Sequence, residues 1–283
     1  MLAEPAQTIE GMTITSLSEN TSRTGLPAEH GLSLHIRTDD GRQILFDMGQ
    51  GRLFAENAER LGVGLSKVEL AVVSHGHYDH GGGLAHFLRV NNTATVYVNR
   101  HAFEPHYSLR GQSLAYIGLA PKLEKSGRVV CCEGTTRIGT GMLLFNDVRR
   151  DSPAPPGNRW LFGPARNVHD DFRHEQSLLI IEGEKTVLFA GCAHSGIENI
   201  IAAATQAAGQ PPTHVFAGMH LIKSGLTEAE EAEHIRALAG RLAAHESCRY
   251  VTMHCTGLPQ YARLKALLGD AISYLSCGDQ MVI

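Results

Sequence analysis

Apolar and polar side chains alternate along residues 12–17 (M-T-I-T-S-L) and 31–37 (G-L-S-L-H-I-R), the spacing of half-buried strands. A D-D-G turn at 39–41 leads into a third strand at 43–49, so the chain opens as an antiparallel meander. The period lengthens at 53–61, where Glu56, Glu59 and Arg60 lie opposite an apolar stripe and predict a helix. Residues 68–73 are nearly all apolar and β-branched, as in a buried strand, and 94–98 predict another. From 101 to 126 the pattern breaks into aromatics, glycines, His106 and Arg110, predicting an insertion able to cap a site.

Short strands follow at 128–132 and 141–145, then a proline- and arginine-rich stretch over 146–171 that reads as loop. The second half repeats the logic of the first. A hairpin at 177–181 and 186–190 precedes strands at 213–221 and 249–257, helices at 227–246 and 258–268, and closing strands near 272–275 and 280–283. Ser195 with Glu198, and Thr227 with Glu230, have the spacing of capping boxes.

Composition excludes several classes. With 283 residues, 43% hydrophobic and 19% charged, the chain suits a globular protein with a sizeable core. A net charge of −4 argues against a broad nucleic-acid surface, and no apolar run reaches membrane-spanning length. The opening M-L-A-E-P-A-Q has neither a basic start nor an apolar stretch, so no secretory leader is expected. Six scattered cysteines fit reduced thiols in a cytoplasm better than a disulfide framework. The unusual count is 16 histidines, many of them in loops after strands.

The densest chemistry lies at 72–83, V-V-S-H-G-H-Y-D-H-G-G-G. His75 and His77, two apart on an extended loop, can grip one metal, while Asp79 and His80 are offset toward a second. Two ions about 3.5–4 Å apart would share a bridging hydroxide and clamp a phosphoryl or acyl oxygen. Later strand ends carry Cys192, His194, His220 and His254. A thiolate at Cys192 would be a strong ligand, and a following helix end would lower its pKa.

The H-x-H-x-D-H run resembles the signature of the metallo-β-lactamase superfamily, and the order of later motifs extends the resemblance over nearly the whole chain. It implies an α/β fold, the αββα sandwich of two mixed β-sheets packed face to face with helices outside, forming one domain over 1–283. It implies a dinuclear site of His75, His77, Asp79, His80, Cys192 and His254, with either His174 or His194 as the third histidine. Asp47, in the F-D-x-G strand end, would orient a ligand histidine from behind. The ions would be zinc, with manganese and iron also suited.

The motifs D-D-F-R-H-E-Q-S-L, A-G-C-A-H-S-G-I-E-N-I-I, A-G-M-H-L and M-H-C-T-G are similar to one branch, the 7,8-dihydropterin-6-methyl-4-(β-D-ribofuranosyl)aminobenzene-5′-phosphate synthases. The expected activity is metal-dependent hydrolysis of a phosphate- or nucleotide-like small molecule, with Asp79 orienting the attacking water or collecting its proton. Tyr107 and Arg110 would contact substrate, and His220 at the rim would bind a substrate oxygen or steady a leaving group. The alternatives are the synthase reaction, a condensation that displaces pyrophosphate, and a non-catalytic ligand-binding module.

Overall fold

A computed structural model describes residues 11–283, so the opening segment read for a leader lies outside the described residues. The first half runs β1 (Thr13–Ser18), β2 (Ser33–Arg37), β3 (Gln43–Phe46), α1 (Leu53–Arg60), β4 (Leu70–Val73), α2 (Tyr78–Gly81), α3 (Leu84–Val90) and β5 (Thr95–Asn99). A middle section adds β6 (Tyr107–Arg110), β7 (Ser113–Tyr116), β8 (Val129–Cys132), β9 (Thr136–Gly139), β10 (Met142–Phe145) and β11 (Leu161–Phe162). The second half continues with β12 (Ser177–Glu182), β13 (Lys185–Ala190), α4 (Ile197–Ala208), β14 (His214–Ala217), α5 (Glu228–Ala243) and β15 (Arg249–Thr252). It ends with α6 (Leu258–Leu268), β16 (Ile272–Tyr274) and β17 (Gln280–Val282).

Two mixed sheets result, ordered β17-β1-β2-β3-β4-β5-β8 and β16-β15-β14-β13-β12-β10-β9. Their facing sides meet through Ile14, Leu34, Phe46 and Val72 on one side and Leu178, Phe189, Phe216 and Val251 on the other. Separate apolar layers bury α1 and α3 against the first sheet and α4, α5 and α6 against the second. This is the αββα sandwich. In each sheet a run of parallel strands ends at one common edge, where α/β folds gather their chemistry.

Three elements depart from the sequence reading. The 101–126 insertion is a hairpin, β6-β7, and it pairs with β11 from the stretch expected to be loop. That pairing is long-range and left no periodic trace. The Ser195/Glu198 capping box does not form: the residue before α4 is Gly196, which offers no side-chain cap, and Glu198 instead pairs with Arg241 at 2.6 Å. Glu175, held nearby, takes the Ser195 amide at 2.8 Å and so removes the competing donor. The Thr227/Glu230 box does form. Third, β14 stops at Ala217 and β15 at Thr252, so His220 and His254 lie on turns beyond the strands. Among the described residues, no helix is long and apolar enough to cross a membrane.

Candidate metal centre

The loop after β4 is anchored from behind. Asp47, in a left-handed conformation (φ 61°) at the end of β3, accepts the Ser74 amide at 2.7 Å and the Ser74 hydroxyl at 2.8 Å. The same carboxylate holds His80 Nδ1 at 2.6 Å, in full burial. Burial alone would push the His80 pKa down, but the Asp47 charge raises it above the ordinary imidazole value. Gly76 between the first two histidines is required: a β-carbon there would stand 2.7 Å from His106 Nε2.

Tautomers follow from these partners. The Ser74 hydroxyl spends its proton on Asp47, so it accepts from His75 Nδ1 at 2.9 Å. His80 Nδ1 donates to Asp47, His254 Nδ1 to Asn20 Oδ1 at 2.8 Å, and His194 Nδ1 to Asn158 Oδ1 at 2.9 Å. In the neutral ring each Nε2 then presents a lone pair. His80 Nε2 and His254 Nε2 face each other at 3.2 Å, and His75 Nε2 faces His77 Nδ1 at 3.0 Å. Asp79 Oδ2 stands 3.5 Å from His254 Nε2, and Cys192 Sγ 3.1 Å from His80 Nε2.

In their neutral forms, the His80 and His254 lone pairs turned on one another at 3.2 Å repel unless a cation lies between them. A tetrahedral ion with bonds of about 2.0–2.1 Å sets its nitrogen ligands about 3.3 Å apart, close to the 3.2 and 3.0 Å of these two nitrogen pairs. Burial and the neighbouring imidazoles hold His75, His77 and His194 well below the usual histidine pKa, in the neutral form a metal requires.

The two rivals for third histidine differ in what their nitrogens do. His174 has both engaged, Nδ1 accepting the Gly76 amide at 2.9 Å and Nε2 paired with Asp170 at 3.3 Å. His194 Nε2 is buried and has no partner, and its ring centroid lies 5.0 Å from that of His75 and 5.1 Å from that of His77. The Glu175 carboxylate grips the amides of His194 and Ser195 at 2.6 and 2.8 Å, which fixes this loop.

The expectation that a helix end lowers the Cys192 pKa fails. The helix begins five residues later at Ile197, and burial pushes the thiol well up, with the Cys255 sulfur beside it adding to the effect. Asp79 behaves in the opposite way. Burial would raise it, but the imidazoles of His254 and His30, at 3.5 and 3.1 Å, hold it well below the usual carboxylate range.

His77, Asp79, Cys192, His194 and His254 line a cavity of about 870 Å³, with His75 and His80 behind them. Its walls include Arg110, Ile117, Trp160, His220 and Lys223, so the hairpin insertion and the 156–162 stretch both reach the site. An antiparallel bridge between His77 and Gly118, with the Tyr78 amide donating to the Ile117 carbonyl at 2.8 Å, fastens the hairpin to the ligand loop. Tyr107 is not on the wall. It is 8% exposed, edge-on to Tyr116 and covered by the Arg166 guanidinium at 4.6 Å, because the β6-β11 pairing turns it away.

Several contributors escaped the sequence reading. His30 contacts Asp79 at 3.1 Å, and Asp170 Oδ2 pairs with His106 Nδ1 at 2.8 Å behind His77. Neither they nor Asn20, Asn158, Glu175 and Cys255 sit in a spacing that marks them. Asp170 and Glu175 fall within the D-D-F-R-H-E-Q-S-L motif and Cys255 within M-H-C-T-G, but nothing in those runs marks what each residue touches.

The sequence pattern of the metallo-beta-lactamase superfamily matches residues 27–217. Among curated proteins, the chain is 25% identical over 272 residues to a 7,8-dihydropterin-6-methyl-4-(beta-D-ribofuranosyl)-aminobenzene-5'-phosphate synthase of Methanocaldococcus jannaschii, covering 88% of this chain and 89% of that one. Among solved structures it resembles a metal-dependent hydrolase of the beta-lactamase superfamily, with a TM-score of 0.77, 28% identity, and coverage of 96% of this chain and 99% of the other. A metallo hydrolase from Ignicoccus hospitalis shares the fold at a TM-score of 0.53 and 14% identity, over 96% and 98% of the two chains. A match spanning two thirds of the sequence, on the sandwich and strand-end histidines described above, establishes that this chain belongs to the metallo-beta-lactamase superfamily.

Proposed function

We propose that this chain is a metal-dependent hydrolase acting on a phosphate- or nucleotide-like small molecule. One observation carries the reading: four buried imidazoles have their Nδ1 protons taken by oxygen acceptors, which in the neutral rings leaves the Nε2 lone pairs free for metal. His75 Nε2, His77 Nδ1 and His194 Nε2 would hold one ion; Asp79, His80, His254 and Cys192 would hold the other. Two divalent ions there, zinc before manganese or iron, would supply Lewis acidity and a water of lowered pKa.

The chain's own groups do the rest. Asp79, held ionised by His30 and His254, is a weak proton acceptor suited to orienting a water rather than keeping its proton. Arg110 and Lys223 on the cavity wall would meet an anionic substrate group, Trp160 and Tyr78 offer ring faces, and the 101–126 hairpin caps the site. Free thiols at all six cysteines support the expected reducing, cytoplasmic setting.

The test is metal content by plasma mass spectrometry on protein purified without chelator, followed by a phosphodiester screen. About two ions per chain with turnover would support the reading. Protein that takes up no metal when ions are added would sink it in favour of a binding module.

A second reading, the pyrophosphate-displacing condensation, is favoured by the curated relative's name and by a cavity of about 870 Å³, roomy for two substrates. Pyrophosphate released only when both a pterin pyrophosphate and an aminobenzene ribotide are present would select it over hydrolysis.

A further inference from the structure

We infer that Cys192, Cys255 and His220 form an additional, sulfur-rich cation site beside the proposed metal pair, taking a soft divalent ion such as zinc, cobalt or cadmium. The inference touches the metal-centre reading only through Cys192.

The three residues present ligand atoms within 4.8 Å of one another, and both cysteines are nearly fully buried. A tetrahedral ion about 2.3 Å from each of two thiolates sets the sulfurs about 3.8 Å apart, so the span is right for a shared ion. Paired thiolates with an imidazole favour soft metals over magnesium or manganese.

The backbone is built to hold this arrangement. His254 (φ 52°) and His220 (φ 46°) both adopt left-handed conformations that cost a non-glycine residue about 1 kcal/mol or more. The twist at His254 lets consecutive side chains serve different partners: His254 meets His80, and Cys255 meets Cys192 and His220.

Three further bonds tie the two turns together. The His220 amide donates to Cys255 Sγ at 3.3 Å, while the Leu221 and Ile222 amides donate to the Cys255 carbonyl at 3.0 and 3.2 Å. Gly218 keeps the sulfur's space open, since a β-carbon there would stand 2.5 Å from Cys255 Sγ. His220 Nδ1 is buried without a hydrogen-bond partner, which an ion would remedy. Two inert buried thiols would need none of this: neither the strained turns nor an unpartnered nitrogen beside them.

The experiment is anaerobic titration of the full chain, stripped of metal, with cobalt(II) alone. It reads bound ions per chain and the near-ultraviolet sulfur-to-cobalt charge-transfer band. Wild type should bind one ion more than Cys255→Ser, and that variant should lose about half of the band, one of two sulfurs. His220→Gln should lose the same ion and the same share of the band. Thermal melting of the metal-free variants confirms that they fold, and Cys255→Ala serves if the serine variant does not. A Cys255→Ser protein with the wild-type ion count and band overturns the site while leaving the proposed hydrolase centre standing. Wild type that binds no cobalt at all overturns both.

Discussion

The two halves of the molecule bring ligands to the same edge in different ways. In the first half, four donors lie within six residues on one loop, backed by one carboxylate, Asp47. In the second half, Cys192, His220 and His254 come singly from the ends of three adjacent parallel strands, and each needs its own support. Glu175 fixes the loop of His194, Asn20 the ring of His254, and strained turns carry His220 and His254. A contiguous loop is set by local geometry, whereas a dispersed set depends on strand register and on partners remote in sequence. The first half is therefore legible as a motif, and the second half only as a recurrence.

The sharpest test of the first half is Asp79→Ala, which should cut turnover by about 10²–10⁴-fold while leaving the fold intact. Steady-state kinetics with a circular dichroism control reads this, and near-wild-type turnover with intact metal would sink the role. The second half is tested by the two rival histidines. His194→Ala should cost one bound ion per chain, whereas His174→Ala should keep the wild-type count, because its nitrogens already have protein partners. The reverse result by mass spectrometry would exchange their assignments.

Supports should matter less than ligands. Asp47→Asn is expected to weaken metal binding about 10–100-fold, and Asp170→Asn, acting through His106 behind His77, by no more than that. Competition against a chromophoric chelator measures both. An Asp170 effect exceeding that of Asp47 would mean the second half supports the first more than the geometry indicates.

A pH series gives a smaller, signed effect. Burial holds His75, His77 and His194 well below 6.5, so the unfolded chain takes up protons before the folded one does. These three histidines should thus make the metal-free protein lose stability progressively as the pH drops below about 6.5, while His80, with its raised pKa, gives the opposite slope above it. Melting temperatures that stay flat down to pH 5 would show these histidines to be hydrated rather than buried. Smallest of all, Thr227→Ala removes a formed capping box that holds no proposed ligand and should cost about 1 kcal/mol of stability, with no change in metal content.

The legible part of this protein was whatever local pattern encodes. Alternation gave the opening meander and the 177–190 hairpin, helical spacing gave α1, α5 and α6, and H-x-H-x-D-H gave the loop His75–His80. What the sequence left open was decided by contacts between remote residues. The β6-β11 pairing turned Tyr107 away from the cavity, against Tyr116 and Arg166, and left Arg110 on the cavity wall. Glu175 displaced the expected cap at Ser195. His174 and His194 are both buried and both close to His75, and nothing in their local sequence separates them. Asp170 and the Gly76 amide occupy one, Asn158 leaves the other a free lone pair, and only the folded chain brings those partners into reach. The identity of a metal donor is fixed by which of its atoms the rest of the protein has already used, and that is a property of tertiary structure.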